Sequence, residues 1–384
     1  MGDKGSRIEE RTMRIVAVDT LAVKPRWLLV KVTTDEGIVG WGEATLEGHI
    51  PAVAAEIGHW RDRLLGEDPR RIQHLWQRMY RHAFYRGGPI QCSAISGLEQ
   101  ALWDIVGRWL DVPVHAMLGG AVRERIRLYR HVGGDTPEAL AQAGREAVAQ
   151  GFTAVKTGGP DPGRGPVEPP EVIRRLAERI EALREAVGPG VSIGVDLHGR
   201  TSPALAIRIA RALEPYDLAF IEEPCLPESV EALAEVARST SIPIATGERL
   251  YTKWGFRDVL AQRAAAILQP DLSHAGGILE CRFIAAMAEA HFVAVAPHCP
   301  LGPVALAACL QLDACIPNFA LQEHVTLGQG YLKTPFVLEE GCVRVPQGPG
   351  LGIEVNEEGL AEYADEGLWC NPAAYDEDGC VSEW

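Results

Sequence analysis

Along the second half of the chain, short apolar runs recur, and each ends in a carboxylate or an imidazole. SIGVDLHG carries Asp196 and His198, LAFIEEP carries Glu222 and Glu223, and PIATGE ends at Glu248; AAILQPD ends at Asp271, VAVAPH at His298 and FALQE at Glu323. The steps from Asp196 to Glu222 and from Glu222 to Glu248 are both 26 residues, and the next three are 23, 27 and 25. An interval of that size holds one strand, one helix and two short loops, the βα unit of a parallel barrel. In such barrels the chemistry gathers at the C-terminal ends of the strands, where side chains leave the sheet and converge on one mouth. The regular spacing therefore predicts a single cluster in space.

Asp196, Glu222 and Glu248 would end three successive strands. Three carboxylates in one mouth repel each other unless a cation sits among them, and an all-oxygen set favours a hard ion such as Mg²⁺ over zinc. Any one of them alone reads as readily as a helix N-cap, but three at equal spacing point to a shared task. His298 follows one strand and Asp271 ends the strand before it. A carboxylate on one ring nitrogen fixes the tautomer and raises basicity at the other, which makes His298 a candidate general base; a purely structural His–Asp pair is the alternative. His198 lies two residues past Asp196, and on a strand that spacing points both side chains to one face, toward the metal cluster. Glu323, if protonated, could donate to a developing oxyanion. A divalent metal with a base suits removal of a proton next to a carboxylate, and an acid on the opposite side can then expel a β-hydroxyl as water.

The elements that must hold these groups are legible in outline. A chain of 384 residues accommodates a barrel of about 250 residues and a smaller domain. From residue 13 to 125 strands precede helices without alternation, an α+β pattern. WLLVKVTT and IVGWGEA form a hairpin about Asp35-Glu36-Gly37. Ser93 reads as the N-cap of a helix with Ile95, Leu98, Leu102, Ile105 and Trp109 on one face. LAVKPRW (21–27) and FYRGGPI (84–90) look too irregular for scaffold alone. Alternation begins with RLYRHV. A helix capped by Thr136 follows, with Pro137 at its first position, and then FTAVKTG, a strand that reaches Lys156. A proline- and glycine-rich loop (159–170) leads into a helix with Ile173, Leu176, Ile180, Leu183 and Val187 on one face. The expected fold class is α/β. It comprises a TIM-type (β/α)7β barrel over 126–328, an N-terminal α+β capping domain over 13–125, and a C-terminal segment, 329–384, that returns to complete the cap.

Composition narrows the partners. Lys plus Arg total 37 against 52 acids, a net charge of −15, which argues against nucleic acid and anionic membranes. An anionic substrate would need local positive charge. Nine cysteines at irregular spacing with no C-x-x-C pair, and no visible signal peptide, point to a reducing cytoplasm. No apolar run approaches membrane-spanning length.

Taken together, PRWLLVKVTTDEGIVGWGEATLEG, MYRHAFYRGGPI, SAISGLEQALWDI, HVGGDTP, DLHGR, FIEEP, GERL, ILQPDLSHAGGI, APHCPLGPVALAACLQ and the closing VSEW resemble the enolase superfamily, mandelate racemase subgroup. The resemblance implies that Asp196, Glu222 and Glu248 hold Mg²⁺ and that His298, backed by Asp271, takes the C2 proton of an acid sugar. It further implies that His198 protonates the departing 3-hydroxyl and that Glu323 hydrogen-bonds the substrate carboxylate or enolate oxygen. The cap would read the sugar chain through LAVKPRW and the region around His49, and the protein would be a homo-oligomer, commonly an octamer. Racemases of the subgroup carry K-x-K at the second barrel strand. Here Lys156-Thr157-Gly158 lacks the second lysine, so a two-histidine dehydratase fits better. Lys156 is left to neutralise the substrate carboxylate or to pair with a ligand acid. The implied activity is dehydration of an aldonate, D-galactonate first, to a 2-keto-3-deoxy acid. The alternatives are another aldonate or aldarate, or epimerisation by the same two histidines. The departures at 159–170 and 324–345 bear on which sugar is read.

Overall fold

A computed structural model describes residues 13–159, 170–367, 369–373, 375 and 379–381. The first domain opens with an antiparallel sheet of β1 (Ile15–Val23), β2 (Trp27–Thr34) and β3 (Val39–Glu43), with the hairpin where the sequence places it. Three helices follow, α1 (Ile50–Leu64), α2 (Ile72–Arg81) and α3 (Pro89–Leu110). The two-residue period of β2 divides its side chains between two cores. Leu28, Val30 and Val32 pack among these helices, whereas Trp27 and Leu29, with Trp41 of β3, belong to the core shared with the barrel. Strand β3 lies unusually close to α3, because a Cβ on Gly42 would stand 2.0 Å from the carbonyl oxygen of Gly97. That approach lets polar side chains of α3 reach past the sheet.

Helix α3 differs from its expected start. Its N-cap is Gly88, at φ +77, with Pro89 at the first helical position, so the serine expected to cap it, Ser93, lies inside the helix and is fully buried. Serine occurs both at caps and as a buried hydrogen-bonding group, and here a partner from the barrel decides between them. Trp109, expected on the apolar face, is 42% exposed and lies under the Arg70 guanidinium.

After the short α4 (Val114–Met117) the chain alternates. The elements are β4 (Arg125–Arg127), β5 (Arg130–His131), α5 (Pro137–Ala149), β6 (Ala154–Gly158), α6 (Pro170–Val187), β7 (Ser192–Asp196) and α7 (Pro203–Leu213). They continue through β8 (Phe220–Glu222), α8 (Val230–Arg238), β9 (Ile244–Thr246), α9 (Thr252–Ala261), β10 (Ile267–Leu268), α10 (Ile278–Ala290), β11 (Ala294–Val295) and α11 (Pro303–Cys315). Strands β5 to β11 form one parallel sheet in chain order. The stretch from Phe319 to Gln322 closes it through parallel bridges from Phe319 to Val295 and from Gln322 to Leu128. The eighth strand is therefore short, and no helix follows it before the C-terminal meander. Side-chain caps from Thr136, Ser202 and Ser229 start α5, α7 and α8. The barrel interior is filled by Tyr129, Ala154, Phe220, Ala245, Ala296 and Leu321. Gly194 makes room for one of the two rings, since a Cβ there would meet Phe220 at 2.4 Å.

The C-terminal segment runs back along the cap. Strand β12 (Cys342–Arg344) pairs antiparallel with β4. Lys24 N donates to Tyr363 O at 2.7 Å, and Asp365 N donates to Ala22 O at 3.0 Å. Arg26 stacks over Trp369. No helix among the described residues is long and apolar enough to cross a membrane.

Candidate active site

The parallel sheet delivers its strand ends to one place. Asp196 closes β7, Glu222 closes β8 and Glu248 stands two residues past β9; one ligand oxygen from each lies within 4.8 Å of the others. Asp196 and Glu222 are buried. The doublet Glu222–Glu223 resolves into two different jobs. Glu223, at φ +42, turns away and accepts from Thr246 Oγ1, Gly247 N and both nitrogens of the Arg249 fork. Those bonds fix the loop that carries Glu248. Glu222 faces the cluster, where Lys156 Nζ donates at 2.7 Å and Gln269 Nε2 at 2.8 Å.

The charges in this cluster do not balance. Burial, and then the neighbouring Asp196, push Glu222 well above the usual carboxylate range. Burial likewise pushes Glu248 up to about 8, with His298 pulling the other way and Glu223 and Asp196 adding to the rise. Asp196 is lowered, because Lys156 and His198 outweigh its burial. An all-oxygen set of three converging carboxylates with this excess of negative charge fits a divalent cation. Each group would gain a partner that its protein neighbours do not supply.

Beside this cluster stands the His298–Asp271 pair. Nδ1 of His298 is 2.8 Å from Asp271 Oδ2, and a parallel bridge ties the two backbones. Nε2 faces inward, 3.5 Å from Glu248 Oε2 and 3.9 Å from Glu323 Oε2. Burial disfavours the imidazolium, but Glu248, Glu323 and Asp271 outweigh it and hold His298 well above the usual range. The carboxylate partner thus orients the ring and leaves Nε2 facing the mouth.

His198 reaches the same mouth by a different route from the one expected. Strand β7 ends at Asp196, so a two-residue strand period cannot place His198. Instead its backbone turns into the left-handed region, at φ +52, while its N–H donates to Asp196 Oδ1 at 2.9 Å. Its Nδ1 lies 3.5 Å from the same oxygen, and burial lowers its pKa against the pull of Asp196. A left-handed non-glycine residue costs about 1 kcal/mol, and strain of that kind is often found at functional sites.

Glu323 is an ion-paired acceptor. Its Oε1 meets His131 Nε2 at 2.7 Å and Lys156 Nζ at 3.0 Å, and its Oε2 accepts from Cys299 N at 2.8 Å. Burial alone would raise it, yet Lys156, His298 and His131 hold it well below the usual carboxylate range. In this arrangement its two oxygens are engaged by His131, Lys156 and Cys299 N. Lys156 touches Asp196, Glu222 and Glu323 together, which is the ligand-acid pairing that was one of its two expected roles.

A cavity of about 190 Å³ joins these groups. Asp196, His198, Glu248, His298, Glu323, Lys156 and His131 line its barrel side, and Arg26 and Glu47 of the first domain line its other side. Arg26 and Glu47 pair at 2.6 Å and come from the two regions expected to cover the mouth. Sequence reasoning missed His131. It ends a two-residue strand with no carboxylate in register, and the one available signal was its place at the end of the first barrel strand. Of the loop at 159–170, residues 160–169 lie outside the described residues.

Comparison with known proteins fits this geometry. Residues 138–359 match the family described as enolase C-terminal domain-like, and residues 7–119 match the mandelate racemase/muconate lactonizing enzyme N-terminal domain. The D-galactonate dehydratases of Ralstonia nicotianae (strain ATCC BAA-1114 / GMI1000) and Variovorax paradoxus (strain S110) are each 46% identical to this chain over 383 residues, covering 97% of it and 100% of their own length. A solved mandelate racemase/muconate lactonizing enzyme from Jannaschia sp. CCS1 superposes with a TM-score of 0.87 at 37% identity, covering 92% of this chain and 98% of its own. A member of the enolase superfamily from Salmonella Typhimurium also gives 0.87, at 32% identity, with coverage of 91% and 98%. With both of its domain models matched and full-length relatives well above a third identical, the chain belongs to the enolase superfamily, in the family of mandelate racemase and muconate lactonizing enzymes.

Proposed function

We propose that this chain is a Mg²⁺-dependent acid-sugar dehydratase that converts D-galactonate to its 2-keto-3-deoxy acid and water. Residues 13–125 would form the cap, 126–328 the barrel and 329–384 the returning segment. The observation that carries the reading is the pairing of two imidazoles with one carboxylate cluster in a single mouth. His298 is backed by Asp271, and His198 is held by the turn after Asp196. The match in length and identity to the named dehydratases supports the choice of substrate.

Asp196, Glu222 and Glu248 would hold the ion. When bound, it supplies positive charge that makes the proton next to the substrate carboxylate acidic enough to remove. With Glu248 engaged by the ion, the carboxylate that most holds His298 protonated is withdrawn, and the neutral ring takes that proton at Nε2 while Asp271 keeps it oriented. His198, held by the turn after Asp196, gives a proton to the 3-hydroxyl as its bond to carbon breaks, and water leaves. Lys156, paired with Glu323, brings positive charge to the mouth of an otherwise acidic protein, and His131 adds a ring nitrogen beside the same carboxylate. Arg26 and Glu47 supply a charge and an acceptor for the distal hydroxyls.

The test is a keto-acid assay with Mg²⁺ across a stereochemically complete panel of aldonates and aldarates. Product from D-galactonate at a clear margin is the expected result. Product from a different acid alone would keep the mechanism and refute the substrate. Solvent exchange at C2 of recovered substrate with no keto acid would instead identify an epimerase.

A further inference from the structure

Asp271 has a second imidazole beside it. His274 stands three residues on, 6% exposed, with Nε2 at 3.5 Å from the same Oδ2 that meets His298 Nδ1 at 2.8 Å. Its other nitrogen, Nδ1, is 3.0 Å from the hydroxyl of Ser93 on α3. The remaining Asp271 oxygen, Oδ1, accepts from Ser273 N at 2.6 Å. An ionised carboxylate only accepts hydrogen bonds, so the ring nitrogen that faces it should carry the proton, leaving Nδ1 to accept from the Ser93 hydroxyl. Contacts of this kind are often long before substrate binds and tighten in the complex. A continuous row thus runs from the capping helix to the base: Ser93, His274, Asp271, His298.

The loop that carries His274 does not need it for anchorage. Ser96 Oγ accepts from Gly276 N at 2.9 Å, Glu99 accepts from Ile278 N and Leu279 N at 2.8 and 2.9 Å, and Gln100 Nε2 donates to Leu272 O at 3.0 Å. These side chains recur at three- and four-residue spacing on α3 and so share one helix face. None of those bonds reaches the Asp271 carboxylate. His274 does, on the oxygen that orients the base.

We propose that His274 is a positioning residue for proton abstraction. Fixed in one tautomer by Ser93, it keeps Asp271 Oδ2 aligned on His298 Nδ1, so that the capping domain sets the orientation of the base as well as covering the mouth. The inference rests on the reading of His298 as the base and deepens it.

The experiment follows deuterium incorporation at C2 of D-galactonate and keto-acid release in D₂O, using the Mg²⁺-loaded full-length protein. The variants are His274→Leu, His274→Gln and Ser93→Ala, with His298→Asn as reference. His274→Leu should lower the exchange kcat by about 10–100-fold, as loss of an orienting partner does at comparable sites, with KM and Mg²⁺ affinity within about twofold. His274→Gln, whose amide nitrogen can stand where Nε2 stood, should recover most of the loss, and Ser93→Ala should fall between. In the ¹⁵N-histidine NMR spectrum of the wild-type protein, His274 Nδ1 should be unprotonated, a readout that holds even if His274→Leu does not fold. Exchange at the wild-type rate in His274→Leu, a glutamine variant as slow as the leucine one, or a protonated Nδ1 would each overturn the proposal. Undiminished exchange in His298→Asn would instead remove the base assignment on which it stands.

Discussion

Two groups of carboxylates, one at the seam between cap and barrel and one at the barrel mouth, are treated in opposite ways. At the seam between cap and barrel they are satisfied. Glu43 accepts from Gly302 N, Ala305 N and Thr45 Oγ1, and Glu99 accepts from Ile278 N, Leu279 N and Trp103 Nε1. Each thus seats on the N-terminal amides of a barrel helix, α11 or α10, where the helix has unpaired donors and a partial positive charge. At the barrel mouth Asp196, Glu222 and Glu248 face one another, and among the described residues the side-chain partners of Glu248 are His298 at 3.5 Å and Arg249 at 3.9 Å. The seam uses acids to join two domains. The mouth keeps acids in want of a cation, at a cost to stability that activity requires.

Neutralising one acid of the mouth should trade activity for stability. Glu248→Gln should abolish dehydration, by more than about 10³-fold, and weaken Mg²⁺ binding in calorimetry. The same change should raise the melting temperature of the metal-free protein, because it relieves repulsion. A fall in that temperature would place Glu248 with the structural acids.

Next in size are the two imidazoles. His298→Asn should remove both C2 exchange and elimination, by about 10²–10⁴-fold, whereas His198→Asn should block keto-acid release and leave exchange measurable by NMR. Loss of exchange in both variants would erase the division into base and acid.

At the seam, Glu43→Ala should cost about 2–5 kcal/mol in denaturant unfolding, because two buried backbone N–H groups lose their acceptor. A loss below about 0.5 kcal/mol would mean that water replaces the carboxylate and that the seam is looser than it looks.

The seam also carries a pH signature. Burial pushes Glu43 and Glu99 up to about 7, despite the amides that favour their charged forms. A folded-state pKa above the unfolded value means that the folded protein binds more protons between the two values. The stability from these groups is then fully present below about 4.3, the ordinary Glu value, and is lost as pH rises through about 7. Glu43→Gln should flatten this fall relative to the wild type in unfolding measured from pH 4.5 to 8, and parallel slopes would contradict the shift. The smallest effect belongs to the side-chain cap of α5. Thr136→Ala should cost about 1 kcal/mol and leave turnover unchanged.

What could be read before the structure was what repeats. Each βα unit brings its strand end back to the mouth after about 25 residues, so Asp196, Glu222, Glu248, Asp271, His298 and Glu323 could be grouped from spacing alone. The role of Ser93 was not legible, because a serine before an apolar run reads as a cap and only a histidine 181 residues away makes it a buried partner. His198 was grouped correctly for the wrong geometric reason, since a left-handed turn and not a strand aims it. Glu43 and Glu99 carry no signal in the sequence, because their partners are backbone amides of the other domain. Long-range pairs with no period leave no local trace.

If the acids of the mouth need a divalent cation to act, removing the cation must stop the reaction. Purified protein, stripped with a chelator and dialysed, would be assayed for keto-acid formation from D-galactonate before and after addition of Mg²⁺. The stripped protein should show no turnover, and Mg²⁺ should restore it in full. Undiminished turnover after chelation, with metal analysis showing none bound, would contradict it.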